Sequence, residues 1–276
     1  MKRFALSLLL LFVLALPFGA RAQSVPAPEI DVDLELVLAV DISRSMSVNE
    51  LEIQRRGYAE ALSSPDVVDA ITRGINGQIA IAYIEWAGRH TQRVIVDWVL
   101  IRNLADARAL AATLTAKFES GMRMTSISGA LTFSAALFEN NGYRGLRRVI
   151  DISGDGPNND GAPVLPARQA VIDQGIVING LPLMTREGKG SFWDLKDLDQ
   201  YYLHCVVGGP GAFVVPVYEW DFFPQAVRRK LVLELAMPAL PPPPPRIIRA
   251  QAAAPGYDCL AGEKIWDKIT APPQSR

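Results

Sequence analysis

The chain has 276 residues, 49% hydrophobic and 21% charged, a balance that supports a sizeable buried core and excludes wholesale disorder. Collagen, coiled coil and disulfide-dense miniprotein are excluded on the same grounds. With 28 Lys+Arg against 29 Asp+Glu the formal net charge is −1, so there is no electrostatic footprint for a nucleic-acid partner.

Met1-Lys2-Arg3, a mainly apolar run from Phe4 to Leu16, then Pro17 and Ala20-Arg21-Ala22 have the layout of a secretory signal. Cleavage after Ala22 is the expectation, and an uncleaved anchor is the alternative. The apolar run is shorter than the ~20 residues a membrane span needs. Loss of Lys2, Arg3 and Arg21 leaves the exported form with a net charge of about −4, in the periplasm or secreted. No later stretch is apolar enough to span a bilayer.

A Pro- and Ala-containing linker, Gln23 to Glu29, precedes an apolar run from Leu34 to Val40 that reads as a buried strand tolerating one charge, Glu35. Asn49 to Leu62 has helical spacing, closed by Ser63-Ser64-Pro65. Strands follow at Gln78–Trp86 and Arg93–Val99, joined through Gly88-Arg89-His90 as a hairpin. Leu104, Ala107, Ala111, Leu114 and Phe118 mark a second helix, Gly121 to Thr125 a polar loop, and Ile127 to Phe138 a third helix stopping near Asn140-Asn141-Gly142. Val149–Ile152 reads as a strand, Gly154–Gly161 as a loop, Ala162–Gln174 as a helix and Ile176–Leu183 as a strand. Last come a helix over Ser191–Leu203, a strand over Phe213–Val217 and an amphipathic helix over Asp221–Ala236. This alternation predicts one α/β domain over residues 30–236 with a largely parallel sheet flanked by helices.

Beyond it, residues 237–245 form a proline-rich linker with Pro241 to Pro245 consecutive, and residues 246–276 form a tail carrying Cys259 and Trp266. Cys205 and Cys259 either form one disulfide, tying that tail back, or stand as two separate thiols. His90 and His204 are the only histidines, and the adjacent His204-Cys205 pair lacks any C-x-x-C or H-x-x-x-H companion, so a four-ligand zinc site is not expected.

Ligand sites in open α/β sheets form beyond the carboxyl ends of the strands. There stand Asp41, Ser43 and Ser45 after the first strand, Thr125 before the third helix and Asp155 after the Val149 strand. Such hydroxyl and carboxylate oxygens suit a hard divalent cation, with Mg²⁺ favoured and Mn²⁺ or Ca²⁺ as alternatives. Two of the hydroxyls also have a competing role: Ser45, or Ser47 beside it, could cap the first helix, and Thr125 the third. Asp151 reads as a buried or partner-satisfied carboxylate. Glu85 and Trp86 end their strand either at the site's rim or in packing.

Together, Asp41-Ile42-Ser43-Arg44-Ser45, Thr125 and Asp155-Gly156 resemble the von Willebrand factor type A domain, over about Asp33 to Ala236. The resemblance implies a three-layer αβα, Rossmann-like, mostly parallel sheet with one antiparallel edge strand. It also implies a metal-ion-dependent adhesion site in which Ser43, Ser45 and Thr125 offer hydroxyls and Asp41 and Asp155 bind directly or through water. Two details depart from the pattern: Gly154 stands where the family often has Thr, and the loop Pro157-Asn158-Asn159-Asp160 is unusually polar. In wording, Val149 to Gly156 is closest to exported bacterial proteins without assigned function.

Enzyme signatures fail one by one. An aspartate phosphatase needs a second carboxylate where Ser43 stands, Ser126-Ile127-Ser128-Gly129 lacks the first glycine of a nucleophile elbow, and the loop after the first strand has no glycine for a dinucleotide. Gly188-Lys189-Gly190 is not a phosphate loop. The expectation is a non-enzymatic exported module whose bound cation captures an acidic side chain of a protein partner. The alternatives are a scaffold with a vestigial metal site acting through its proline-rich tail, and a metal-dependent hydrolase.

Overall fold

A computed structural model describes residues 28–116, 122–185, 195–236 and 256–270 of the chain. The signal segment, the proline-rich linker, Gly188-Lys189-Gly190 and the start of the helix expected from Ser191 lie outside the described residues.

The central sheet has five strands in the order β4-β3-β2-β6-β7. Its core strand, β2 (Glu35–Asp41), is buried along its whole length and runs parallel to β3 (Ile79–Trp86) on one side and β6 (Arg148–Gly154) on the other. Continuous burial explains the unbroken apolar run, since both faces of a parallel strand are covered. β7 (Ile176–Pro182) continues the parallel set beyond β6, and β4 (Gln92–Ile101) pairs antiparallel with β3 as the hairpin predicts. Glu35 is tolerated because Asn141 Nδ2 and the Gly145 N–H both donate to its carboxylate at 2.6 Å. Gly145 belongs to β5 (Tyr143–Gly145), which pairs with β1 (Ile30–Val32), two three-residue strands too short to show an alternation.

Alternate side chains of β2 divide the core. Leu36, Leu38 and Val40 face α1 (Val48–Leu62), α2 (Pro65–Thr72), α3 (Leu104–Thr115) and α7 (Phe223–Ala236), whereas Val37 and Ala39 face α4 (Ile127–Ala136) and α5 (Val164–Ile172). The result is the expected three-layer αβα arrangement. α6 (Leu198–Tyr201) belongs to the second layer and runs on as a π-helical turn, Tyr202–Val206.

Several boundaries differ from the expectation. Ser64-Pro65 does not merely close α1; Ser64 caps α2 with Pro65 in its first turn, where proline lacks only an N–H that would go unused. The helix expected over Ser191–Leu203 starts, among described residues, at Leu198 and extends to Val206. Phe213–Val217 forms only single parallel bridges beside β7, Gly180 with Val214 and Leu183 with Val217, because Pro182 of β7 has no N–H to give the Val215 carbonyl between them. Part of the tail is also ordered: α8 (Ala261–Thr270) packs on the domain, and Cys205 and Cys259 are disulfide-bonded with Cα atoms 5.5 Å apart.

The core of the first layer contains a buried charge cluster. Lys230 Nζ stands 2.6 Å from Asp151 Oδ1 and 2.5 Å from Glu234 Oε1, all three side chains being essentially inaccessible. Asp151 is thus the partner-satisfied carboxylate expected. None of the described helices is long and apolar enough to cross a membrane.

Candidate metal centre

The chain leaves β2 towards α1 on one face of the sheet and leaves β6 towards α5 on the other, so the crevice between the two strand ends is the topological switch point. Asp41 ends β2 and Asp155 follows β6, which brings both carboxylates there.

Asp41 is fully buried; its Oδ1 accepts the Ser43 N–H at 2.6 Å, and its Oδ2 has no hydrogen-bond partner. Ser43 Oγ and Ser45 Oγ lie 2.9 Å apart, and Ser45 Oγ donates to Asp155 Oδ1 at 2.8 Å, with Ser43 Oγ at 3.4 Å from the same oxygen. Burial, reinforced by the neighbouring Asp155, pushes the Asp41 carboxyl well above its usual range. Burial likewise lifts Asp155 to about 6, despite the hydrogen bond from Ser45. Two carboxylates held this way in one crevice repel each other, a repulsion that a cation between them would remove.

The competing capping roles go to neighbouring serines. Ser47 caps α1 in a reciprocal box with Glu50, the Ser47 N–H donating to Glu50 Oε2 at 2.6 Å and Ser47 Oγ accepting the Glu50 N–H at 3.3 Å. Ser126 caps α4 by accepting the Gly129 N–H at 3.2 Å. Ser45 and Thr125 are therefore left to the crevice. Thr125 follows Met124, whose φ of 71° is the left-handed region a non-glycine residue seldom occupies.

The polar loop after Asp155 acts as a clasp. Asn159 holds Thr125 at both ends, its Oδ1 accepting the Thr125 N–H at 2.9 Å and its own N–H donating to the Thr125 carbonyl at 2.8 Å. Asn158 Oδ1 accepts the Ser128 N–H of α4, and Asp160 pairs with Arg89. The departure at Gly154 has a steric cause: a Cβ there would lie 2.9 Å from Asp41 Oδ2 and 2.8 Å from the Tyr202 hydroxyl. Tyr202, carried by the π-helical turn, fills the space a threonine would take, and its buried hydroxyl has no partner. Sequence reasoning missed Tyr202, which looks like one more apolar helix residue. The two asparagines were visible as polarity without a role.

All five expected site residues, Asp41, Ser43, Ser45, Thr125 and Asp155, meet at this switch point; all but Asp41 line one cleft of about 680 Å³. Glu85 and Trp86 do not: Glu85 is locked between Arg55 and Arg93, and Trp86 is fully buried in the second-layer core. Among the described residues no three His, Cys, Asp or Glu side chains form a metal cluster, so any cation here depends on the hydroxyls. The donor set does fit a hard cation: carboxylate and hydroxyl oxygens converge, and one buried carboxylate oxygen lacks any other partner.

A family model described as "Protein of unknown function (DUF1194)" matches residues 31–239. The chain belongs to this family. Its fold is that of the von Willebrand factor type A domain, as solved structures show. A von Willebrand factor type A structure from Catenulispora acidiphila aligns with TM-score 0.51 and 13% identity over 74% of this chain and 43% of its own length. Proximal thread matrix protein 1 from the mussel byssus, with a zinc-occupied MIDAS motif, aligns with TM-score 0.55 and 16% identity, covering 76% of this chain and 49% of that one. The pilus adhesin SpaC of Lactobacillus rhamnosus GG aligns with TM-score 0.53 and 13% identity over 75% and 31%. The DUF1194 chain thus spans half or less of each of these three proteins. No curated protein matches it.

Proposed function

We propose that this DUF1194 chain is an exported protein-interaction module that binds a divalent cation through Asp41, Ser43, Ser45, Thr125 and Asp155 and captures an acidic side chain of a protein partner. Mg²⁺ is the favoured ion, with Mn²⁺ or Ca²⁺ as alternatives. The observation that carries the reading is the unpartnered, buried Asp41 Oδ2 in a crevice where a second carboxylate is already held. A bound cation would supply Lewis acidity and an open coordination position; the chain's residues orient it and exclude water from one side. The zinc-occupied motif of the mussel protein, and the adhesive role named for SpaC, support a binding module over an enzyme. So does the crevice itself, where no histidine stands beside a hydroxyl and Asp155 already accepts from both serines.

The test is thermal unfolding of the chain beginning at Gln23, with millimolar Mg²⁺ and with chelator. At a hundredfold excess over the dissociation constant, binding stabilises by about 2.7 kcal/mol, which for a domain of this size raises Tm by roughly 5–10 °C. Asp41→Ala should abolish the shift. No shift in the native chain would overturn the metal-site reading.

A further inference from the structure

We infer that α8 is the second wall of the metal-site cleft and that the site takes an acidic peptide segment in which an apolar side chain neighbours the coordinating carboxylate. This rests on the metal-site reading above and specifies its partner.

Four features fix α8 in place from one side. The Cys205–Cys259 disulfide ties the segment to the π-helical turn. The Tyr257 hydroxyl donates to Asp197 Oδ2 at 3.0 Å, and its ring stacks on His204 at 5.3 Å. Asn158 Nδ2 donates to Glu263 Oε1 at 2.8 Å. Finally, Gly262 lies so close to the loop that a Cβ would sit 2.0 Å from the Asn158 carbonyl oxygen, an approach open only to glycine. The loop that clasps Thr125 through Asn159 thus also clasps α8 through Asn158.

Held this way, α8 turns Trp266, Ile269 and Thr270 towards Ser43, Ser45 and Thr125 across the cleft. Ile269 remains 44% exposed, an apolar side chain left in water beside a polar centre. Arg44 and Arg123 line the same cleft, both exposed, and neither has a salt bridge among the described residues. A cation and two guanidiniums call for an anionic occupant, and the aromatic and aliphatic wall calls for an apolar group next to the anion. A lone carboxylate or inorganic phosphate would satisfy the cation and leave Ile269 in water. A cleft of about 680 Å³ accommodates a few residues of extended peptide.

The probes are two peptides, acetyl-Gly-Gly-Asp-Gly-Gly-amide and acetyl-Gly-Leu-Asp-Phe-Gly-amide, titrated by NMR into the Gln23-onward chain in saturating Mg²⁺. The apolar-flanked peptide should bind at least tenfold tighter. In Trp266→Ala/Ile269→Ala that advantage should fall below threefold, with Mg²⁺ affinity and binding of the all-glycine peptide unchanged; these retained properties report an intact fold. Gly262→Leu, which would dislodge α8 from the loop, should reproduce the loss. Mg²⁺-dependent binding without preference, or a preference that survives both variants, overturns the inference and leaves the metal site standing. Failure of both peptides to bind in a Mg²⁺-dependent way overturns the underlying reading, and this one with it.

Discussion

Gly154→Ala puts the steric account of the metal crevice to the test. The added Cβ would meet Asp41 Oδ2 at 2.9 Å and the Tyr202 hydroxyl at 2.8 Å, both inside contact distance. Neither neighbour has room to withdraw. Asp41 ends a strand paired on both sides, and the Tyr202 ring is already so close to Gly180 that a Cβ there would stand 2.7 Å from it. Overpacking a rigid site costs about 1–3 kcal/mol, and two simultaneous close contacts place Gly154→Ala at about 2 kcal/mol. Tyr202→Phe removes one of the two obstacles. The double variant should therefore be less destabilised than the sum of the singles by about 1 kcal/mol, a coupling expected only of groups in contact. Urea unfolding in chelator gives the four stabilities, provided the denaturant dependence is alike in all. A Gly154→Ala variant within 0.5 kcal/mol of native, or a strictly additive cycle, would refute the reasoning.

Three further outcomes follow from the geometry. Lys230→Met leaves Asp151 and Glu234 buried without their cation and should cost about 3–5 kcal/mol by chemical denaturation, far more than an exposed lysine. Asn159→Ala removes the side-chain acceptor of the Thr125 N–H while keeping the backbone bond to the Thr125 carbonyl, and should lose about 1–2 kcal/mol along with several-fold Mg²⁺ affinity by calorimetry, whereas an unchanged affinity would show that the side-chain bond is not what positions the hydroxyl. The raised Asp155 carboxyl, at about 6, makes the folded chain hold more protons than the unfolded one between about pH 4 and 6. Metal-free stability should therefore fall as pH rises through that window, by about 1–2 kcal/mol for a partly accessible group, relative to Asp155→Asn. Saturating Mg²⁺ should remove the fall, and a metal-free stability that rises with pH against that variant would contradict it.

The strands that carry the site were legible because burial on both faces makes β2 an apolar run from Leu36 to Val40 that stops at Asp41, and leaves β6 with Val149, Ile150 and Ile152 shortly before Asp155. What stayed hidden was set by contacts between distant segments. β1 and β5 are three residues each and exist because Glu35 draws Asn141 and Gly145 to the start of β2. Ser64-Pro65 carries both stop and start chemistry, and only the packing of Val67 and Ile71 into the core decides for a second helix. Tyr202 owes its role to a π-helical turn, which shifts the register of the helix and has no signature in a 3.6-residue period.

The site residues show the same division more sharply. Asp41-x-Ser43-x-Ser45 could be read as a metal loop or as a run of helix-capping side chains, and spacing alone does not separate the two. The neighbours do: Ser47 with Glu50, and Ser126 with Gly129, satisfy the helix starts and leave Ser45 and Thr125 without that work. A sequence reader could have reached this from Ser47-x-x-Glu50, a complete capping box two positions beyond Ser45. No such local signal existed for the clasp, because Asn158 and Asn159 act on α4, Thr125 and α8, segments that lie far from them in the chain and meet only at the sheet edge. The polarity of that loop was visible as a departure from the family pattern. Its cause is that one short segment hydrogen-bonds both the crevice and the helix that walls it, so a change in the loop should move the two together.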